Sequence, residues 1–180
     1  MISVKDVANF FIDIVNKNDD DQITNLKLNK LLYFAQGCHL SRTGEPLFDN
    51  KIEAWPLGPV VPEIYQKYKV CGKAPIQTID DDYSDGVFSD MEMDTLLDVM
   101  REYGQYTGPT LVSITHRAGT PWSDIDSQGL TIIPNELMKT YFEKHPIPTT
   151  TDLINRIPTV TELPRDWYDP TEDEEWEAYL

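Results

Sequence analysis

Basic residues are scarce in this sequence. Fifteen Lys and Arg face 31 Asp and Glu over 180 residues, a formal charge of −16. Nucleic-acid binding depends on Lys and Arg displacing counterions from phosphates, so nucleic acid is not an expected partner. Only Cys38 and Cys71 occur, which argues against a disulfide framework and for a reducing compartment, the cytoplasm. No apolar run approaches the ~20 residues of a membrane span, so no membrane partner is expected. The segment MISVKDVANFFIDIV carries Lys and Asp through its apolar residues and does not read as a secretion signal. Recognisable chemistry is missing as well. There is no G-x-S-x-G, no phosphate-binding loop and no dinucleotide fingerprint. Cys38 and His39 are neighbours on a predicted helix, so their side chains diverge by about 100° and chelate poorly. Cys38, Cys71 and His116 lack the spacing of a zinc site. The acidic runs at 80–82 and 173–175 lack the alternating ligands and the glycine of a calcium loop. The expectation is a protein without catalytic residues, cofactor or metal.

What is present suffices for a core: 40% hydrophobic residues, with four Trp and nine Tyr. Ser3 and Asp6 suggest a capping box opening a helix over 4–17, with Val7, Phe10, Phe11, Ile14 and Val15 at helical spacing. Thr24 can cap a second helix that Gly44 ends, with Leu28, Leu31, Leu32, Ala35 and His39 on one face. A short strand or hairpin is expected at 47–55. Pro59 and Pro62 suit the first turn of a helix whose apolar stripe is Ile64, Tyr65, Tyr68 and Val70. An exposed loop follows, with a strand edge at 76–79. Ser89 and Glu92 form a second capping box, before a helix over 90–103 that turns Met93, Leu96, Leu97 and Met100 inward. TGPTLVSITHRAG predicts a short helix and TPWSDI a turn that seats an aromatic ring. TIIPNELMKTYFEKH predicts a strand and then a last helix. The fold class is therefore α+β and mainly helical: five or six helices with a small strand or hairpin element.

Beyond residue 144 the character changes, so the expected organisation is a domain over 1–144 and a tail over 145–180. The tail has five prolines, and nine acidic residues against Arg156 and Arg165. Such composition does not order itself alone. Trp167, Tyr168, Trp176 and Tyr179 nevertheless sit among the acids, as anchors for a partner or for docking on the chain's own domain or a second subunit.

Three segments, ITNLKLNKLLYFAQGCHL, IEAWPLGPVVPEIYQKYK and ITHRAGTPWSDI, resemble in that order the Panacea, or SocA-like antitoxin, domain. The resemblance spans about residues 3–144 and rests on Leu28, Lys30, Leu31, Leu32, Tyr33 and Phe34. It continues through Ala54, Trp55, Gly58, Pro59 and Val60, then Thr115, His116, Pro121 and Trp122. Cys38 stands where the family often has an aromatic. The resemblance implies a phage-associated or toxin–antitoxin protein that neutralises a cognate toxin by direct contact. Delivery of the toxin to a protease is a further mode within the family. An acidic surface suits a basic face on that toxin, and a homodimer or a hetero-oligomer with the toxin is the expected assembly. The alternative is a phage- or prophage-encoded inhibitor, or a proteolytic adaptor, acting on a host protein. Tyr65, His116 and the four tail aromatics are the candidate partner contacts. Trp55 is expected to drop into the helical core, with Gly58 and Pro59 shaping the turn beside it.

Overall fold

The computed structural model describes residues 2–17, 22–80 and 83–156. At its centre lies α2 (Asn25–Thr43), whose residues from Lys27 to Leu40 are all buried. A helix hidden on every side belongs in the middle of a fold, and α1 (Val4–Asn16), α3 (Pro62–Tyr68), α4 (Asp90–Tyr103), α5 (Gly108–Thr115) and α7 (Asn135–Lys144) pack around it. Thr24 caps its start by accepting from Lys27 N, and Gly44, at φ 80°, ends it. The tightest crossing is with α7. A Cβ on Gly37 would lie 2.1 Å from Phe142 Cε2, so only glycine lets that ring rest on the α2 backbone. Phe142 sits edge-on to Tyr33, and Phe34 stacks on Tyr103 with centroids 3.8 Å apart.

A helix this buried also takes polar side chains inside, and each needs a partner. Gln36 bridges to the following loop: its Oε1 accepts from Leu47 N and Phe48 N, and its Nε2 donates to Phe48 O. Leu47 and Phe48 are fully buried, yet their backbone is tied to a helix side chain, so the strand expected from residue 47 begins only at Ile52. The sheet has the order β2-β1-β3, antiparallel throughout, from β1 (Ile52–Trp55), β2 (Gly58–Val60) and β3 (Ile132–Ile133). Pro59 therefore lies in a strand, and Pro62 alone opens α3.

Further differences from the sequence reading have local causes. Ser3 Oγ accepts from Lys5 N, so no capping box forms with Asp6, whereas the Ser89–Glu92 box is complete. On α4 the inward face is centred on Thr95, Leu96, Asp98 and Val99. Asp98 meets Arg42 at 2.8 Å, and this rotation leaves Leu97 exposed. Val70 is also outside, because α3 stops at Tyr68 and a 3-10 turn carries the chain away. No strand forms at 76–79; Ile76 N donates to Ile23 O, and Thr24 bridges Pro75. TPWSDI is not a turn. Thr120 caps α6 (Pro121–Ser127) and Pro121 opens it, a cap-plus-proline signal that the short segment concealed.

The chain divides into two compact units, Met1–Thr149 and Thr150–Leu180. Seven described α-helices and the small sheet fall within 1–144, a mainly helical α+β fold as expected with one helix more than read from sequence, and α8 (Thr150–Arg156) lies in the second unit.

Candidate partner-binding site

The β1–β2 hairpin is too short to hold its own shape, and side chains from three other elements hold it. Lys30, from α2, donates from Nζ to Pro59 O at 2.9 Å. Its neighbour Asn29 accepts from Val61 N at 2.9 Å. Trp122, on α6, donates from Nε1 to Trp55 O at 2.9 Å. His116, just after α5, brings Nε2 within 3.2 Å of Pro56 O and lays its ring on Trp122, centroids 3.6 Å apart. The three segments quoted from the sequence thus converge on one turn. Asn29 belongs to this clamp and was not among the residues singled out from sequence. Nothing local marked it, because α2 carries several polar residues and their burial follows only from the packing around the helix.

Gly58 lies where the clamp is tightest. Its φ is +96°, and a Cβ there would stand 2.7 Å from Lys30 Cε and 2.8 Å from Thr115 Oγ1. Thr115 is fixed in turn: its Oγ1 donates to Val112 O, and its carbonyl accepts from Thr120 Oγ1 at 2.6 Å. Lys30 has no solvent-accessible surface, and burial pulls its amine down to about 7. Leu28, Leu31 and Tyr33 point into the core around α2. Cys38 is buried with them, where burial pushes its thiol up to about 12.

Trp55 corrects the expectation made for it. Its ring is half-buried, held by Nε1 donating to Glu53 Oε2 at 2.8 Å and by Tyr65 edge-on at 4.8 Å. The strand pleat explains the placement. Ile52 fills the core, and the turn then lifts Trp55 to the wall of an open groove. That groove has a volume of about 710 Å³. Trp55, Leu57, Tyr65, Leu26 and Pro109 are among the residues that line it, together with the buried Lys30. Leu57, at the tip of the hairpin, is 61% exposed. Tyr65 is thus a groove residue, while His116 is a clamp residue beside it. Trp167, Tyr168, Trp176 and Tyr179 lie outside the described residues.

Among the described residues, no group of three or more His, Cys, Asp and Glu could hold a metal ion, and no helix is long and apolar enough to cross a membrane. A hairpin clamped by distant helical residues beside an apolar groove defines an architectural module with a surface to offer. Residues 28–123 match the family model described as "Antitoxin SocA-like, Panacea domain", and the chain belongs to that family. It is 32% identical over 133 residues to Antitoxin SocA of Caulobacter vibrioides (strain NA1000 / CB15N), covering 69% of this chain and 70% of that protein. No solved structure matches.

Proposed function

We propose that this chain is a cytoplasmic, non-enzymatic antitoxin that neutralises a cognate toxin by direct protein–protein binding. Membership of the SocA-like family carries the reading. The groove supports it, because an exposed apolar surface with aromatic walls is what a protein interface uses. The net charge of −16 favours a toxin with a basic face, which it would attract over a distance comparable to the Debye length. Residues 1–144 form the binding domain in this reading. The tail over 145–180 contributes a second contact through Trp167, Tyr168, Trp176 and Tyr179.

Co-expression with the product of the neighbouring gene tests the function. Rescue of growth together with a complex that co-purifies is expected. Unrelieved toxicity, or rescue without a complex, refutes direct binding. For the tail, deletion of 146–180 is expected to weaken the complex at least tenfold, and undiminished affinity removes the tail from the interface.

A further inference from the structure

We infer that the Trp55–Tyr65 groove is the toxin-docking site, and that it takes a toxin segment presenting an apolar side chain next to a carboxylate. This inference rests on the antitoxin reading above and assigns its site and chemistry.

Charge sets the groove apart from the rest of the chain. The chain carries 31 acidic residues against 15 basic ones, yet among the described residues lining the groove there are Lys30 and Lys73 and no Asp or Glu. In a molecule so acidic, the lining itself carries no carboxylate, and the acid held against its wall, Glu53, is engaged by Trp55 Nε1 at 2.8 Å. Lys73 is an exposed member of the lining, placed to pair with an arriving anion. Lys30 has no accessible surface and donates its Nζ to Pro59 O, so it braces the groove from within, and the exposed ammonium of Lys73 is the group that recognises the anion.

The groove is also shaped and stiff before any partner arrives. The volume of about 710 Å³ falls within the range of ligand pockets and accommodates a few side chains of a partner. Its walls do not have to be ordered on binding. The hairpin is pinned by Lys30, Asn29 and Trp122, and Asn25 Nδ2 holds Tyr65 O at 3.1 Å. A pre-formed groove spares the partner the entropy of arranging it. Leu57, exposed on the hairpin tip, supplies an apolar lip against which an incoming aliphatic or aromatic side chain can close. The acidic surroundings steer a basic toxin, and Lys73 then sets the register by selecting its acidic residue.

The test uses the full-length chain and the protein encoded beside its gene, with affinity measured by calorimetry. Lys73→Glu should weaken the complex at least tenfold, and Lys73→Arg should stay within threefold of the wild type. Leu57→Ser should weaken it at least fivefold. Both positions are exposed, and unchanged thermal melts confirm that folding is intact. A wild-type complex indifferent to Lys73→Glu and Leu57→Ser overturns the groove as the site and leaves the antitoxin reading standing. Sensitivity to Leu57→Ser alone overturns the carboxylate. Absence of any wild-type complex overturns the antitoxin reading, and this inference with it.

Discussion

Lys30→Met removes a buried ammonium and leaves the aliphatic volume almost unchanged. In the folded chain burial draws this amine from 10.5 to about 7, with Pro59 O as its acceptor at 2.9 Å. In the unfolded chain it titrates near the ordinary lysine value. Below pH ~7 both states hold the proton and the cost of burying the charge is fully present. Between pH ~7 and ~10.5 the unfolded chain holds a proton that the folded one has lost, so folding stability rises with pH. Integrated from pH 6 to pH 9, that gain is about 2–3 kcal/mol. The variant has no such gain, and it leaves Pro59 O without its donor, at a cost of about 1–3 kcal/mol. At pH 6 the wild type bears the whole cost of the buried charge, about 5 kcal/mol, so the variant should exceed it by about 2–4 kcal/mol there and come level with it by pH 9. Urea unfolding under reducing conditions, followed by tryptophan fluorescence at both pH values, measures this directly. Stability profiles for the two proteins that run parallel from pH 6 to pH 9 would refute the desolvated ammonium.

Gly58→Ala should cost about 2–4 kcal/mol in urea unfolding, from the left-handed backbone and from contacts of 2.7 and 2.8 Å with Lys30 and Thr115. Gly119→Ala, at φ +81° with nothing within 4 Å, should cost only about 1–2 kcal/mol and serves as the control. Gly37→Ala should cost about 1–3 kcal/mol by driving Phe142 off α2, and Phe142→Leu in the same chain should recover part of the loss. Trp55→Ala should cost only about 1–2 kcal/mol, not the ~3–5 of a buried aromatic, because one side of its ring faces the groove. A loss above ~3 kcal/mol in denaturant titration would put that ring in the core after all.

Much of the helical framework could be read from local chemistry. Ser89 with Glu92, Thr24 with Gly44, and the spacing from Val7 to Val15 specify where helices begin, end and face, because caps and apolar periods act over one or two turns. The hairpin turn was also marked in the sequence, through Trp55, Gly58 and Pro59. Its partners were not. That Lys30, His116 and Trp122 meet at Trp55–Pro59 is a relation across some 30 to 67 positions, and spacing along a chain carries no such information. The same holds for burial. Leu97 and Val70 fit an apolar stripe, yet the pairing of Asp98 with Arg42 and the end of α3 at Tyr68 turn them outward. The sequence by itself determined the capped ends of α2 and α4, the acidic charge and the signature residues, since each is a property of neighbours or of composition. Only the tertiary structure decided that Trp55 walls a groove instead of filling the core, and that the lining of that groove holds Lys30 and Lys73 but no carboxylate in an acidic protein. Those depend on which surfaces α2 leaves free once six other elements have packed against it.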